Sequence, residues 1–326
     1  MSWTSCTRLR VLVSALVLIL LCHQANAQWL VGSLKDTTNR ADYIVVTSAE
    51  YVGAILPLTS FRAGGQSLSV TIVLLDSITS QFPRAKPDSS LRDFVTRTLT
   101  HWRTPQPHFL LLAGNVNVVP SHQEASPFAP FADEDSVMID QWFVTQLSES
   151  QSQQVPGMAI GRFPAWSPEE LSRMVSKTIA YEQASASRWG SRSIAIADSG
   201  DSGIFEGDAG TEQQYAARRW QDTITVHIRP GSPFYRTRRQ LIDLWNEGSA
   251  FVNFVGHMNS WQFSHGAYFT VHDIDSLTSG SSRSLCILGG SQRFERPDSV
   301  PIAVALVRAI GAGGVCVIAP SGLAPR

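Results

Sequence analysis

Residues 244–257, LWNEGSAFVNFVGH, contain the clearest indication of the fold. This stretch starts within a helical pattern that runs from Arg236 to Glu247, turns at Gly248, and continues as an apolar strand from Ala250 to Val255. A run that is apolar on both faces is typical of a strand in a parallel sheet covered by helices. Because ligands bind beyond the carboxyl ends of such strands, the pattern predicts that His257 lies in a functional crevice.

The same alternation of strand and helix extends along the chain. Further strands are predicted at Tyr43–Thr47, Leu68–Leu75, His108–Leu112, Gly157–Ile160, Ser193–Ala197, Leu285–Leu288 and Val315–Ile318, and helices at Leu91–Trp102, Pro168–Gln183, Thr211–Trp220 and Val300–Ile310. This order predicts an α/β fold with a mostly parallel sheet flanked by helices. We expect two α/β subdomains, residues 28–185 and 186–326. Right-handed crossovers further predict that the strands ending at Gly256 and Leu288 are adjacent and parallel.

The charge balance restricts the class of partner. The chain of 326 residues has 26 Lys and Arg against 27 Asp and Glu, a formal net charge of −1. This balance gives no electrostatic footprint for nucleic acid or for an anionic membrane surface. The predicted partners are therefore proteins, peptides or small molecules, and no nucleic acid.

The first 27 residues are predicted to be a cleavable export signal. They contain the three parts that such a signal needs: Arg8 and Arg10, the apolar run from Val11 to Leu21, and the small residues Ala25 and Ala27. Cleavage after Ala27 leaves Gln28 as the new N-terminus. A transmembrane anchor is the alternative, but the apolar run falls short of the roughly 20 residues that span a bilayer. A lipid anchor at Cys22 is disfavoured because bulky Leu21 precedes it. The predicted location is secreted, cell-surface or periplasmic, with no membrane span after signal cleavage.

Two of the four cysteines, Cys6 and Cys22, lie in the signal, so the mature chain keeps Cys286 and Cys316. Two cysteines make no disulfide framework. Both lie in apolar runs, where a free thiol usually packs as a small buried hydrophobe. A single bridge between them is the alternative.

Two loop-rich, acidic stretches are expected to follow strand ends. Residues 115–141 carry Asp133, Glu134, Asp135 and Asp140, and residues 198–210 read DSGDSGIFEGDAG. Both are candidate walls of a site. Their carboxylates are suited to structural calcium, although the spacing matches no specific metal loop and a solvated acidic turn is the alternative. No cofactor is required by the sequence.

Two adjacent strand tips suggest a chemistry. His257 is placed to act as a general base near neutral pH, the alternative being a hydrogen-bonded loop histidine. The next strand ends in Gly289-Gly290-Ser291. A histidine at one strand tip and a nucleophile at the neighbouring tip is a cysteine-peptidase arrangement.

Several segments, in their order, resemble the gingipain-type family of cysteine peptidases. They are ADYIVVTSAEY (41–51), LLDSI (74–78), LRDFVTRTLTHW (91–102), HFLLLAGNVNVVPSH (108–122), AIGRFPAWSPEEL (159–171), residues 244–257 and YFTVHDIDSLTSG (268–280). The resemblance covers nearly the whole mature chain. It implies a caspase-like fold and a cysteine-type endopeptidase that acts on protein or peptide substrates.

The resemblance carries over to individual residues only in part. His257 matches the catalytic histidine of the family's Gly-His-Gly, with Gly256 in place but Met258 where the second glycine belongs. The amide of that residue helps to form the oxyanion hole, and a side chain there crowds the approach. Asn115 stands where the family usually has aspartate, and Asp140 resembles an acidic residue that precedes an aromatic pair beside the active site.

The nucleophile is the main departure. The resemblance places the family's cysteine five residues before a phenylalanine, and counting back from Phe294 reaches Gly289. Ser291 is the better substitute, since a two-residue register shift brings it opposite His257. Cys286 lies about 10 Å back along the strand, and the odd offset turns its side chain to the other face.

Three hypotheses follow from these residues. The first is an active peptidase that uses Ser291 or Cys286 with His257. The second, which the glycine and Met258 favour, is a pseudopeptidase that keeps the cleft without the reaction. The third is a structural component of an export system.

Overall fold

A computed structural model describes residues 27–29, 32–126, 136–147, 154–184, 188–219, 222–228, 237–278, 280, 284–290 and 300–322. The strands are β1 (Ala27–Trp29), β2 (Tyr43–Thr47), β3 (Val70–Leu74), β4 (Phe109–Ala113), β5 (His122–Ala125), β6 (Ser136–Ile139), β7 (Thr145–Leu147), β8 (Gln154–Pro156), β9 (Ala159–Phe163), β10 (Arg192–Ala197), β11 (Asp222–His227), β12 (Phe251–Val255), β13 (Gln262–Phe263), β14 (Phe269–Thr270), β15 (Ser284–Gly289) and β16 (Gly314–Ile318). The α-helices are α1 (Val52–Gly65), α2 (Leu75–Gln81), α3 (Pro87–His101), α4 (Pro168–Gln183), α5 (Ile204–Ala216), α6 (Arg238–Asn246) and α7 (Ile302–Arg308).

The chain divides into two compact units. The N-terminal unit comprises Met1–His122 with Asp140–Val175, and the C-terminal unit comprises Gln123–Ile139 with Ser176–Arg326. The first unit thus ends within α4, a little before the predicted division between residues 185 and 186, and the described residues 123–126 and 136–139 group with the second unit.

The N-terminal unit is built on a parallel sheet in the order β1-β3-β2-β4-β9. Its central strands are apolar on both faces, so that helices must cover both sides. Phe94 and Leu91 on α3 are fully buried with Ile44 and Leu112 of the sheet in one hydrophobic cluster. Pro87 occupies the first turn of α3, where its missing N–H costs nothing.

The C-terminal unit has a parallel sheet in the order β11-β10-β12-β15-β16. Every residue of β10 is buried, and Trp245 on α6 packs with Phe254 and Phe263 in the main core. The chain runs from β10 outward to β11 and then returns to β12 on the other side of β10. In open α/β sheets such a reversal opens a ligand-binding crevice at the strands' carboxyl ends.

The predicted α/β fold with parallel sheets flanked by helices is confirmed, and so is the adjacent, parallel pairing of the strands before His257 and Gly289. Two helices of the N-terminal unit, α1 and α2, have no counterpart in the sequence prediction. The prediction of loop across 198–210 was wrong in its second half, because α5 begins at Ile204. Glycines made that stretch appear irregular, but Ala209 packs against β10, and this tertiary contact stabilises the helix.

The predicted signal lies almost entirely outside the described residues, and only its last residue, Ala27, belongs to β1. Among the helices that the structure describes, none is long and apolar enough to cross a membrane.

Candidate active site

The site is centred on His257, two residues beyond the end of β12. Gly256, which precedes it, has a φ of +156°, and a Cβ built there would lie 2.2 Å from the Cβ of Asp198. Only glycine fits this close approach. The amide of Gly256 also donates to the carbonyl of Gly289, at 3.2 Å. The predicted position of His257 at a strand's carboxyl end is therefore observed, and the glycine before it allows the chain to pass tightly against β10.

Asp198 holds the histidine in place. It is the first residue after β10, the strand that pairs with β12. Its Oδ2 atom lies 3.1 Å from Nδ1 of His257 and also accepts the backbone N–H of that residue, at 3.2 Å. Since a carboxylate only accepts hydrogen bonds, Nδ1 carries the proton and Nε2 is the basic nitrogen. Asp198 thereby fixes the tautomer that a general base requires.

The Asp198 carboxylate is buried, with an exposed side-chain fraction of 2%, against 36% for His257. Its second oxygen, Oδ1, is buried as well and has no hydrogen-bond partner among the described residues. A buried, unsatisfied carboxylate oxygen opposes folding. Such costs concentrate at functional sites, where an arrangement is kept for its chemistry.

Gly289 lies at the end of the neighbouring strand. It pairs in register with Val255, two residues before His257. A Cβ added to Gly289 would meet the Phe254 carbonyl oxygen at 3.1 Å and the Cα of Val255 at 4.0 Å, and no other described atom comes within 4 Å. A shift of the Phe254 carbonyl by a few tenths of an ångström would therefore make room for a small side chain at position 289, but glycine has no side chain.

Met258 packs against the residue after that glycine. A Cβ at Gly290 would lie 2.3 Å from Cγ of Met258, 2.9 Å from its Sδ and 2.6 Å from the carbonyl oxygen of Gly256. Met258 itself is buried in the core of the C-terminal unit. The Met258 side chain thus occupies the volume that a side chain at position 290 would need.

The structure describes one of the two substitute nucleophiles, Cys286. Ser291 lies outside the described residues. Cys286 is fully buried, and burial raises the pKa of its thiol to about 12. The alternation of buried and partly exposed residues along β15 puts Cys286 on the face opposite to Gly289. Cys286 therefore packs in the core, as its spacing predicted.

The expectation that both mature cysteines are buried was wrong for Cys316. Both are free thiols, but Cys316 is exposed. It lies on β16, the last strand in the order of the sheet, where Ile318 on the same face is also exposed. An apolar run at a sheet edge leaves one face uncovered, and the sequence pattern alone does not distinguish an edge strand from a central one.

The two other predicted wall residues lie in the N-terminal unit. Asn115 is buried, and its Oδ1 accepts the backbone amides of Asn117 and Val118, at 3.1 and 3.3 Å. Asp140 binds Arg162 through both oxygens, at 2.7 and 2.8 Å. Both side chains fix the loops after β4, and their role in a site stays a prediction.

The acidic loops were predicted to be candidates for a calcium site. Asp133, Glu134 and Asp135 lie outside the described residues. In the part of the chain that the structure describes, no group of three or more His, Cys, Asp or Glu side chains is arranged to hold a metal ion. Structural calcium stays a prediction.

Sequence reasoning identified residues 198–210 as a site wall but missed that Asp198 pairs with His257. The two residues are 59 positions apart, and only the return of the chain across the sheet makes β10 and β12 neighbours. The signal available in the sequence was the position of Asp198 as the first polar residue after the apolar run at residues 194–197.

The two units are each built on a parallel sheet, and the buried carboxylate of Asp198 holds His257 at a strand tip beside the tip of the neighbouring strand. This arrangement is that of a cysteine-peptidase domain with a caspase-like fold. The model of peptidase family C25 matches residues 36–325. The chain belongs to this family of gingipain-type peptidases, as the sequence resemblance predicted.

Solved structures share this fold. The Arg-specific cysteine proteinase gingipain R (RgpB) superposes with a TM-score of 0.71 at 19% identity, covering 88% of this chain and 64% of that one. RgpB in the complex of its pro- and mature domains, from Porphyromonas gingivalis, gives 0.67 at 18% identity, with 86% and 64% covered. A structure described as a protease gives 0.67 at 18%, with 90% and 62% covered. The chain thus spans less than two thirds of these relatives. No curated protein sequence matches it significantly.

Proposed function

We propose that this chain is an exported, peptide-binding domain of peptidase family C25 whose peptidase chemistry is impaired. One observation carries the proposal: glycine occupies position 289, at the strand tip beside His257, where the family resemblance places the nucleophilic cysteine. Glycine offers neither a thiol nor a hydroxyl. Without an attacking group on the enzyme, the acyl-enzyme of a cysteine peptidase cannot form.

The rest of the site supports a retained function. Asp198 still orients His257, and the buried, unsatisfied oxygen of its carboxylate opposes folding unless it is compensated. An imidazole that is partly exposed at the end of a crevice can bind the carbonyl or amide of an extended peptide by hydrogen bonding. We therefore favour binding of a protein or peptide over loss of all function at this cleft.

An active peptidase is the second candidate. Burial and the raised pKa of Cys286 argue against that residue as the nucleophile, because the thiolate is the reactive form. Ser291 remains the better candidate for this alternative, with His257 as its base. A serine hydroxyl is far less acidic than a thiol and needs more help from the base. A scaffolding role in an export system is compatible with the same peptide-binding cleft.

The test is peptide cleavage by the purified mature protein. A mixed peptide library is incubated with wild type and with the variants Gly289→Cys, Ser291→Ala and His257→Ala, in the presence and absence of thiol. We expect no thiol-dependent cleavage by wild type. Gly289→Cys should gain a reactive thiol, since a nearby imidazole lowers a thiol's pKa. Its turnover should stay low, because the Met258 side chain crowds the oxyanion site.

The matched control is His272→Ala, which removes an exposed histidine from the same unit. Cleavage by wild type that is lost in His257→Ala but kept in His272→Ala overturns the impaired-enzyme proposal. If Ser291→Ala also abolishes that cleavage, the nucleophile is Ser291. If Ser291→Ala leaves the cleavage intact, another group performs the attack, and the hypothesis that Gly289 leaves the site without a nucleophile is wrong.

A further inference from the structure

A second histidine lies against the ring of His257. The ring centroids of His257 and His265 are 4.8 Å apart, and their planes are inclined by 35°. Phe205 makes an edge contact with the same imidazole, at 5.1 Å and 84°. His265 is exposed, so burial of its own ring does not explain its position. Something in the surrounding chain must hold it there.

The loop that carries His265 is strained on both sides of it. Ser264 and Ala267 have φ values of +62° and +50°, in the left-handed region that residues with a Cβ seldom adopt. Such conformations persist only where the surrounding structure over-determines them, and they cluster at functional sites. The strain therefore points to a reason for placing His265 where it lies.

Hydrogen bonds hold the loop in this strained conformation. The amide of Ser264 donates to the carbonyl of His257 itself, at 2.7 Å. The side-chain amide of Gln262 donates to the carbonyl of Ser264, at 3.0 Å. From α6, Arg238 donates to the carbonyl of Ala267 and, at 3.2 Å, to that of Tyr268. The loop is thus tied both to the residue whose ring it contacts and to a helix of the same unit.

We propose that His265 is a positioning residue for His257. Asp198 holds the imidazole through Nδ1, and Phe205 contacts an edge of the same ring. The His265 ring, which lies against the imidazole, adds a further contact that restricts rotation of the ring and so fixes the direction of Nε2, the nitrogen that faces a ligand or a nucleophile. The inference rests on the proposed function only in that His257 is the imidazole of the site.

The test needs no catalytic activity. Ring ¹⁵N and ¹³C spectra of His257 are recorded in the full mature protein and in His265→Ala, His265→Phe and His272→Ala. We expect wild type to show a single Nδ1–H tautomer. His265→Ala should keep this tautomer, because Asp198 sets it, but should shift and broaden the His257 ring signals, because the ring then samples more than one orientation. His265→Phe keeps a flat ring and should restore the wild-type signals, and His272→Ala, which removes an exposed histidine of the same unit, should leave them unchanged.

A reactivity measurement complements the spectra. In the Gly289→Cys background, the alkylation rate of the new thiol reports how well His257 is aimed at it. We expect His265→Ala to lower this rate about tenfold, since a misplacement of 1 Å can cost about 100-fold in an active site. His265→Phe should recover most of the loss. Thermal unfolding of each variant shows whether the fold is retained.

Unchanged His257 signals in a folded His265→Ala protein overturn the proposal. So does a His265→Phe variant that behaves like His265→Ala, because the flat ring then has no part in the effect. Failure of the proposed function has a different signature: wild type would cleave peptides, whatever the spectra of His257 show.

Discussion

The contact between Met258 and Gly290 predicts an energetic coupling that can be measured. Gly290→Ala places a methyl group 2.3 Å from Cγ and 2.9 Å from Sδ of Met258, far inside van der Waals contact. The methyl group also lies 2.6 Å from the carbonyl oxygen of Gly256. Because the site is buried and closely packed, we expect this substitution to lower the free energy of unfolding by about 1–3 kcal/mol.

Met258→Ala removes Cγ and Sδ, the two side-chain atoms close to the added methyl group, together with Cε, but it leaves the carbonyl oxygen of Gly256 in place. Alone, it should cost about 2–5 kcal/mol, because a buried side chain is deleted and leaves a cavity. In the double variant, the methyl group of residue 290 enters the vacated space. The cost of Gly290→Ala should then shrink, with a coupling energy of about 1–2 kcal/mol, within the range found for residues in contact.

The assay is urea unfolding of wild type, both single variants and the double variant. Gly207→Ala serves as control, since no described atom lies within 4 Å of a Cβ at that helical glycine, and it should be neutral or stabilising. If Gly290→Ala costs the same in both backgrounds to within about 0.5 kcal/mol, Met258 is not the obstacle. The coupling bears on function, because the family resemblance places glycine at position 258. This chain has a large side chain at that position, and the side chain packs against Gly290.

Two further predictions concern the thiols and the N-terminus. Thiol-alkylating reagents should label exposed Cys316 in the folded protein and Cys286 only after unfolding. The reason is that the pKa of the buried Cys286 thiol, about 12, leaves roughly 1000-fold less thiolate than an ordinary thiol has. Peptide mapping identifies the labelled cysteine, and rapid labelling of Cys286 in the native protein would contradict its burial. Expression with export should yield a mature chain that begins at Gln28, and N-terminal sequencing that instead finds Met1 in the exported protein would refute the cleavable signal.

Much of the fold was determined by the sequence pattern. Mainly apolar runs, such as Phe251–Val255 and residues 194–197, have few stable environments other than the middle of a helix-covered parallel sheet. The position of His257 followed from the same reasoning, because a residue just beyond such a strand lies at the edge where crevices form. The absence of a thiol at Gly289 is also a fact of the sequence alone.

The residues that surround His257 could be found only from the three-dimensional fold. Asp198 precedes His257 by 59 positions, and Phe205 and His265 lie on two different segments that contact its ring. No local periodicity encodes these contacts, since they depend on the order of strands in the sheet and on a strained loop. The exposure of Cys316 has the same origin. Whether an apolar strand lies at the centre or at the edge of a sheet depends on its neighbours in space, which the sequence of the strand does not specify.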